Sequence, residues 1–375
     1  MSTLTIISHT EHYKKTNGTI VGLGSTVTEV NNLVEVFDSI IHVAMLHDIP
    51  APSSALAYTS NTITFVALPA VGGTKTVDKL AIIWKTPQIL RTIQKALNKS
   101  DYFQFRAPTG IGVFVVPYLV FLSSKKGWFK YAGNWKQENA PMAYSFQRYL
   151  LKQQNRNVTI NGRWENQKKH CLTFENPCLT EQEIIHGQFI TQNKKLNKEA
   201  INFCFVGRLE EAKGLGLLIN AFKSLSPKEQ ACIGDIHLVG DGELVDYYKE
   251  QTLDSALNFI FHGYLSRKDV HQIYQISHAI ILPSASEGFP KVIAEAMNYG
   301  CLPIVSDVSS ISNYVIDNQN GFLLPSITKE GLLTKIEKLL GLSESTYSTM
   351  IDSKKTTISK FTYSYYNQRI KIDLM

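Results

Sequence analysis

The sequence predicts an α/β protein with two domains, each built around a parallel β-sheet. In the second half of the chain, short apolar or β-branched runs alternate with longer amphipathic runs, as in consecutive βαβ units. The first half repeats this alternation less regularly. A chain of 375 residues is also longer than one hydrophobic core usually organises, and its 44% hydrophobic content supplies enough apolar side chains for two cores.

The first half contains the less regular series of predicted elements. Its candidate strands are residues 4–7, 40–46, 62–67, 102–105 and 129–132, and its candidate helices are residues 26–37, 88–97 and 142–153. The first helix opens on Thr26 with Glu29 three residues later, which is the spacing of a capping box. We therefore expect an α/β domain over residues 1–188.

The second half has the clearer series. Its candidate strands are residues 201–206, 236–239, 258–261, 279–282 and 302–305, and its candidate helices are residues 215–225, 243–253, 268–276 and 290–299. Between the halves, residues 188–199 are polar and lack a hydrophobic period, as expected of a linker. The second domain is therefore predicted over residues 196–356.

The cysteine pattern and the apolar runs bear on the compartment. The five cysteines form no C-x-x-C pair, which favours a reducing compartment over a disulfide framework. The first residues lack the charged and apolar regions of a secretory signal. The longest strongly apolar run, residues 110–122, contains Pro117 and is shorter than the roughly 20 residues that a bilayer span needs. We expect a cytoplasmic protein without a transmembrane helix.

The positive charge is concentrated in the first half. Residues 1–188 hold 19 Lys and Arg against 12 Asp and Glu, whereas the remainder holds 19 against 20. A basic half could contact anionic lipid head groups at the inner face of the cell membrane, or it could simply be a solvated surface. No nucleic-acid-binding module is present in the sequence, so a nucleic-acid partner is not expected.

One candidate anion site is the segment 205–214, FVGRLEEAKG. A strand ends here, Gly207 permits a tight turn, and Arg208 and Lys213 flank the start of the next helix. The N–H groups of a helix N-terminus, together with two cations, can bind a phosphate and stabilise negative charge that develops in a reaction. The alternative is that both cations pair with the two glutamates between them on a solvated loop.

A second candidate is the segment 283–297, in which Glu287 and Glu295 lie eight residues apart at the start of a predicted helix. Carboxylates accept hydrogen bonds from sugar hydroxyls, so one could hold a transferred hexose and the other a ribose. Alternatively, Glu287 is a helix N-terminal charge and Glu295 an exposed helical residue. The alanines on both sides of Glu295 argue against that alternative, because an unpaired charge in apolar surroundings is costly.

The remaining glycine turns and several absent motifs narrow the reaction class. Residues 238–243 form another glycine turn between a strand and a helix, and Gly22 and Gly24 match only the first two glycines of a dinucleotide fingerprint. The chain has no Asp-x-Asp, no metal-ligand spacing, no P-loop and no G-x-S-x-G. We therefore expect no bound metal or cofactor, no P-loop phosphoryl transfer and no serine-hydrolase chemistry.

Five segments between residues 202 and 324, taken together and in order, resemble the donor domain of the family 4 (group 1) glycosyltransferases. They are FVGRL-x-x-x-KG, LVGDGE, FHGYLSRKDVHQIY, PSASEGFPKVIAEAMNYGCLPIVSD and NGFLL. The spacing E-x7-E is itself a mark of the family. The resemblance implies the GT-B architecture of two facing Rossmann-like domains, with residues 357–375 forming a C-terminal helix that returns to the first domain.

The resemblance also implies a set of donor-binding residues, namely Gly207, Arg208, Lys213, Glu287, Gly288, Phe289 and Glu295. Arg208 and Lys213 would bind the donor diphosphate, Glu287 would contact the sugar, and Glu295 would hold the ribose. The backbone near Gly288 would approach the sugar or the phosphate. Arg208, Lys213 and Glu287 are the expected catalytic residues, because a leaving nucleoside diphosphate needs cations in place and the transferred sugar needs orienting.

The acceptor side is less similar to the family, because the opening loop lacks its adjacent paired glycines. Gly22 and Gly24 are the candidates there. Arg106 and Asn134 are added because each lies at or after the carboxyl end of a predicted strand, where α/β proteins bind ligands.

The resemblance implies a retaining, metal-independent transferase. It would move a sugar from a nucleoside-diphosphate sugar to a hydroxyl of a glycan or lipid-linked glycan, in surface polysaccharide synthesis. The charge of the basic first domain is compatible with peripheral membrane contact. Two alternatives stay open: a GT-B nucleotide-sugar epimerase and a non-catalytic nucleotide-sugar binding protein. The donor base, the sugar, the acceptor and the linkage are set by pocket shapes that these motifs do not encode.

Overall fold

The computed structural model describes residues 2–72, 76–353 and 355–375. The chain divides into two compact units. Unit 1 comprises Met1–Asn176 and Tyr363–Met375, and unit 2 comprises Pro177–Thr362. Each unit is an α/β structure with its own sheet, so the predicted fold class is confirmed. No helix of the described residues is both long and apolar enough to cross a bilayer.

Unit 1 has a sheet in which parallel pairing dominates. In the described residues its strands are β1 (Thr3–Lys14), β2 (Ile20–Leu23), β3 (Ser39–His47), β4 (Ala55–Ala57), β5 (Ile63–Pro69), β6 (Tyr102–Ala107), β7 (Lys126–Tyr131), β8 (Val158–Ile160) and β9 (Cys171–Thr173). The strands β5, β3, β1, β6, β7, β8 and β9 pair in this order and all in parallel. Strands β2 and β4 add an antiparallel edge to the far end of β1.

Helices cover both faces of the unit 1 sheet. They are α1 (Gly24–Asn32), α2 (Thr76–Leu97), α3 (Gly112–Pro117), α4 (Met142–Gln153) and α14 (Tyr363–Asp373). Helices α2, α3 and α4 pack on the face that presents Ile7 and Phe129. Helices α1 and α14 pack on the opposite face, with Ile6 and Trp128. The alternation along each strand explains this division, because successive side chains of a strand point to opposite faces.

The start of unit 1 differs from the sequence prediction in two ways. Strand β1 continues to Lys14 and turns back into β2, so Gly22 lies in a strand and Gly24 begins a helix, rather than both lying in a loop. The predicted capping box is wrong, because α1 begins at Gly24 and places Thr26 inside its first turn. The turn of this hairpin contains Asn17-Gly18, a dipeptide typical of tight hairpin turns, and Gly18 adopts a positive φ of 84°.

Unit 2 has a fully parallel sheet in the order β12-β11-β10-β13-β14-β15. Its strands are β10 (Ile201–Val206), β11 (Ile233–Val239), β12 (Asn258–Gly263), β13 (Ala279–Leu282), β14 (Leu302–Ser306) and β15 (Phe322–Leu324). The strand order reverses direction between β10 and β13. In open parallel sheets such a reversal creates a crevice at the carboxyl ends of the strands, which is where ligands bind.

The helices of unit 2 complete its core. They are α5 (Glu181–Asn193), α6 (Leu215–Lys223), α7 (Pro227–Gln230), α8 (Val245–Thr252), α9 (Arg267–Ile276), α10 (Lys291–Asn298), α11 (Lys329–Leu340), α12 (Glu344–Asp352) and α13 (Lys355–Ile358). Helix α5 occupies half of the segment predicted as a linker. It opens on a complete capping box, in which Thr180 and Glu183 bond to each other's backbone N–H groups.

Candidate functional site

Three loops meet at the carboxyl edge of the unit 2 sheet, following β10, β11 and β13. The N–H of Leu209 donates to the carbonyl of Asp241 at 3.0 Å, which joins the first loop to the second. The N–H of Ala285 donates to the carbonyl of Ala212 at 3.0 Å, which joins the third loop to the first. The predicted residues of segments 205–214 and 283–297 therefore share one edge of one sheet.

Two glycines make this close packing possible. A Cβ on Gly240 would lie 1.8 Å from the carbonyl oxygen of Gly207, and a Cβ on Gly214 would lie 2.5 Å from that of Pro283. Both glycines also have a positive φ, 139° and 76° respectively. Only glycine fits such positions without displacing the neighbouring backbone. The turns at Gly214 and Gly240 thus allow the loops at this edge to pack closely.

Lys213 and Glu287 form the central contact of this edge. The Lys213 Nζ lies 2.5 Å from Glu287 Oε1. Both side chains are mostly enclosed, with exposed fractions of 25% and 12%. The residue predicted to bind the diphosphate and the residue predicted to contact the sugar are therefore in direct contact, although they are 74 positions apart in the chain. Each retains hydrogen-bonding capacity, because an ammonium has three N–H donors and a carboxylate has two oxygens.

Arg208 is arranged differently. Its guanidinium pairs with Glu210 at 2.6 Å, and its side chain is largely exposed. It borders an open cleft lined by Arg208, Leu209, Glu210, Glu211, Asp241, Gly242, Glu243 and Leu244. Four of these lining residues are carboxylates, and one of them, Glu210, is the partner of Arg208. Arg208 therefore pairs with one of the two glutamates that lie between it and Lys213 in the sequence, as the alternative interpretation expected. Lys213 does not, because its partner is the distant Glu287.

The loop before α10 is held by an aromatic anchor. Phe289 is buried, and its ring centroid lies 4.8 Å from those of Tyr314 and Phe361. The carbonyl of Gly288 accepts a hydrogen bond from Ser310 Oγ at 3.1 Å. These contacts fix the backbone between Glu287 and α10, so the ring of Phe289 is a structural anchor. The N–H of Gly207 is likewise used within the sheet, where it donates to Val239 at 3.0 Å.

Glu295 belongs to a partly buried ion network that sequence reasoning missed. Its Oε1 lies 2.7 Å from Arg267 Nη1. Arg267 also makes two hydrogen bonds to the carboxylate of Glu183, at 3.0 and 2.9 Å, and a third to the carbonyl of Cys178. Burial would raise the pKa of Glu183, but the hydrogen bonds and charge of Arg267 hold it below its usual value. Arg267 lies in the quoted segment FHGYLSRKDVHQIY, but nothing in its spacing pointed to Glu295.

The four residues of the donor hypothesis are thus only partly assembled. Lys213 and Glu287 are in contact, while Arg208 and Glu295 each have a different partner, Glu210 and Arg267 respectively. All four lie in loops or helices that follow strands of the same sheet.

Arg106 in unit 1 is part of a buried ion cluster. Its Nη2 lies 3.0 Å from Glu29 Oε1, and the same oxygen receives Lys130 Nζ at 2.6 Å. Its Nε donates to Gln104 Oε1 at 3.0 Å. Breaking a buried charge pair is strongly destabilising, so this arginine is committed to the core of unit 1. The arrangement gives Arg106 a structural role that its place at a strand end did not predict.

The other acceptor-side candidates also have local structural roles. A Cβ on Gly22 would lie 2.3 Å from the ring of His12, the residue opposite it in the β1–β2 pair. A Cβ on Gly24 would lie 2.8 Å from the carbonyl of Ser54. Asn134 forms a turn, in which its Oδ1 accepts from the N–H of Lys136 at 2.9 Å.

His12 begins a buried hydrogen-bond chain whose proton positions are determined. His12 Nδ1 faces the carbonyl of Thr10 at 3.1 Å and must donate to it, so its Nε2 accepts from the Tyr58 hydroxyl at 2.8 Å. That hydroxyl then accepts from His42 Nδ1 at 2.6 Å, and Ser8 donates to His42 Nε2 at 2.9 Å. Burial lowers the pKa of His12 to about 4, so both rings are neutral at pH 7.

Residues 2–72, 76–353 and 355–375 contain no group of three or more His, Cys, Asp or Glu side chains arranged to hold a metal ion. Lys213 and Arg208, which follow β10, are cations at this edge that could balance a bound anion.

Comparison with known proteins identifies the second unit. Residues 186–356 match the family described as glycosyl transferases group 1, so the resemblance inferred from the motifs is confirmed for this part of the chain. The lipopolysaccharide 1,2-N-acetylglucosaminetransferase of Salmonella typhimurium is 28% identical over 192 residues, covering 48% of this chain and 50% of that protein. The chain spans about half the length, or less, of the curated relatives that it matches first.

Solved structures show the same fold over nearly the whole chain. The Anabaena HepE protein in complex with UDP has a TM-score of 0.68 at 16% identity, covering 99% of this chain and 98% of that one. Sucrose-phosphate synthase from Thermosynechococcus elongatus has a TM-score of 0.72 at 15% identity, with the same coverage. The GT-B fold predicted from the sequence is therefore confirmed.

Proposed function

From the premise that residues 186–356 are a group 1 glycosyltransferase domain, we propose that the chain transfers a sugar from a nucleoside-diphosphate sugar to a hydroxyl group with retention of configuration. The observation that carries the proposal is the contact between Lys213 and Glu287 at the carboxyl edge of the unit 2 sheet. A cation and a carboxylate side by side suit a ligand that is anionic at one end and rich in hydroxyl groups at the other.

Each residue has a part in the proposed transfer. The ammonium of Lys213, helped by Arg208, neutralises the charge that the diphosphate gains when its bond to the sugar breaks. Glu287 accepts hydrogen bonds from the sugar hydroxyls and orients the ring, while Glu295 receives the ribose. The acceptor hydroxyl attacks from the face that the diphosphate leaves, and its proton passes to the leaving phosphate oxygen. No metal enters this scheme, because the two cations supply the positive charge.

The acceptor is proposed to be a glycan or lipid-linked glycan of a surface polysaccharide. The Salmonella relative, whose name states a lipopolysaccharide transfer, supports this choice. We place the protein at the cytoplasmic face of the membrane, because the basic first half of the chain would be attracted to anionic lipid head groups there.

The test is donor binding and turnover in the full chain with Lys213→Ala and Arg208→Ala. A thermal-shift panel of nucleoside diphosphates and their sugars first selects the donor, because a ligand that binds only the native state raises the melting temperature. We expect each variant to lower turnover by roughly 10²-fold or more with the fold intact, and Lys213→Ala to be the more severe. Lys249→Ala, an exposed cation on α8, is the matched control.

Near-normal turnover in Lys213→Ala would show that Lys213 does not stabilise the leaving diphosphate. Conversion of the donor without any acceptor would instead indicate an epimerase. Saturable donor binding with no nucleotide release under any acceptor would indicate a binding protein.

A further inference from the structure

The outer surface of helices α2 to α4 in unit 1 combines exposed apolar side chains with dense positive charge. These helices cover one face of the sheet, and their inner sides pack on the core through residues such as Ile93, Val115 and Leu151. Their outer sides should therefore be polar if this surface faces only water.

The outer sides are instead rich in large apolar residues. Trp84 on α2 is 84% exposed and Met142 on α4 is 89% exposed. The exposed large apolar side chains of this layer are Ile83 and Trp84 on α2, Phe121 and Leu122 in the helical segment Tyr118–Leu122 that continues α3, and Met142, Phe146 and Tyr149 on α4. Met142, Phe146 and Tyr149 are spaced four and three residues apart, so they form a stripe along one side of α4. Such grouping on a soluble surface marks an interaction site.

The same stretch of chain is strongly basic. Residues 82–157 hold 12 Lys and Arg but only 2 Asp and Glu, against 38 and 32 in the whole chain. The cations with exposed side chains among them are Lys85, Arg91, Lys95, Lys99, Lys126 and Lys136. Lys85 directly follows Trp84, and Lys126 lies four residues after Leu122. Arg106 and Lys130, by contrast, both pair with Glu29 inside the unit.

We propose that the outer surface of α2, α3 and α4 docks on the face of a bilayer that contains anionic lipid. The exposed tryptophan, phenylalanine and methionine side chains would enter the head-group region, and the surrounding lysines and arginines would bind lipid phosphates. This deepens the acceptor half of the proposed function, because it would hold the enzyme where lipid-linked acceptors lie, but its test needs neither donor nor turnover.

The composition favours a bilayer over a soluble polyanion. A nucleic acid or an acidic polysaccharide would be bound by cations and polar groups, and would leave exposed leucine and methionine side chains in water. A bilayer satisfies both kinds of group at once, because its interface offers apolar volume directly beneath a layer of phosphates.

The experiment is flotation of the full chain with vesicles of phosphatidylcholine alone and of phosphatidylcholine with roughly a third phosphatidylglycerol. We expect binding to the anionic vesicles that is at least about tenfold stronger than to the neutral ones and that weakens with added salt. Trp84→Ser combined with Phe146→Ser should reduce binding by about tenfold, and so should Lys85→Glu combined with Arg91→Glu, which changes two cations of α2. All four positions are exposed, and circular dichroism checks that the fold is kept.

The matched control is Leu253→Ser, which removes an apolar side chain of 78% exposure from unit 2. It should leave binding unchanged. Equal flotation with neutral and anionic vesicles, or equal losses in the control and in the Trp84 and Phe146 variant, would overturn the proposal. Retention on heparin without vesicle binding would overturn it in favour of a polyanion. Vesicle binding without any sugar transfer would contradict the proposed function but would still support the docking surface.

Discussion

His278 shows how a single buried ring can make the stability of unit 2 depend on pH. Its Nδ1 accepts the N–H of Asn202 at 2.9 Å, and its Nε2 donates to the carbonyl of Lys195 at 3.1 Å. Both nitrogens are thus used by the neutral ring. Burial, and then the nearby charge of Lys194, lowers the pKa of His278 to about 4. A proton on Nδ1 would face the N–H of Asn202 and break that bond.

We predict that this ring contributes stability that is complete above pH 6.5 and lost as the pH falls towards 4. The unfolded state binds the proton at about pH 6.5 and the folded state only near 4, so the loss over this window is about 3 kcal/mol. His278→Asn keeps an acceptor for Asn202 but cannot titrate. Urea unfolding at several pH values should show the free energies of wild type and variant converging on acidification, and parallel curves would contradict the assignment.

Individual residues of the site were predictable only where a sequence motif indicated both the type of side chain and the strand that it follows. Lys213 and Glu287 were predicted for that reason, and the structure places them in contact. Arg267 was missed, because its partners Glu183 and Glu295 are 84 and 28 positions away. Lys194 lies in the segment predicted as a linker, yet its ammonium donates to the carbonyls of Tyr274, Ser277 and Tyr299, and burial lowers its pKa. Local polarity cannot reveal such long-range contacts.

At the scale of elements, the prediction was accurate where a strand is buried on both faces. Strands β10 and β13 match the predicted ranges to the residue. Each strand is a largely apolar run, which leaves little choice of where the strand begins and ends. The short strands β2, β4, β8 and β9 were missed, since three or four residues are too few to show a period. The loops between elements are held by glycine contacts, as at Gly240, that composition does not disclose.

We predict that Gly240→Ala is much more destabilising than Gly263→Ala. Both glycines have a positive φ, 139° and 66°, at the ends of the neighbouring strands β11 and β12. A Cβ at residue 240 would collide with the carbonyl of Gly207, whereas one at residue 263 would meet nothing within 4 Å. The first change should cost about 3 kcal/mol or more, and the second about 1 kcal/mol, which is the penalty of the left-handed conformation alone. Chemical denaturation measures both, and equal costs would show that the loop contact does not matter.

At the scale of the whole molecule, unit 2 is an insertion whose two ends lie side by side. The N–H groups of Cys178 and Leu179 both donate to the carbonyl of Phe361, at 2.8 and 3.1 Å, and Leu179 bridges to Thr362. Unit 2 has its own cores, drawn only from residues of the range Pro177–Thr362. The first unit is completed by α14, which contributes Tyr366 and Ile370 to the core beside Leu4.

We therefore predict that residues 177–362, produced alone, fold cooperatively and keep the donor site. The segment enters and leaves at one point, so excising it breaks no strand pairing within its sheet, and its size is that of an ordinary domain. The measurement is thermal unfolding of the fragment, followed by titration with the nucleoside diphosphate that the full chain binds best. The affinity of the fragment for this nucleoside diphosphate should lie within about threefold of the affinity of the full chain. The reason is that the fragment retains all four residues of the donor hypothesis, Arg208, Lys213, Glu287 and Glu295. A folded fragment that binds more than about tenfold more weakly would show that residues outside 177–362 also contribute to diphosphate binding.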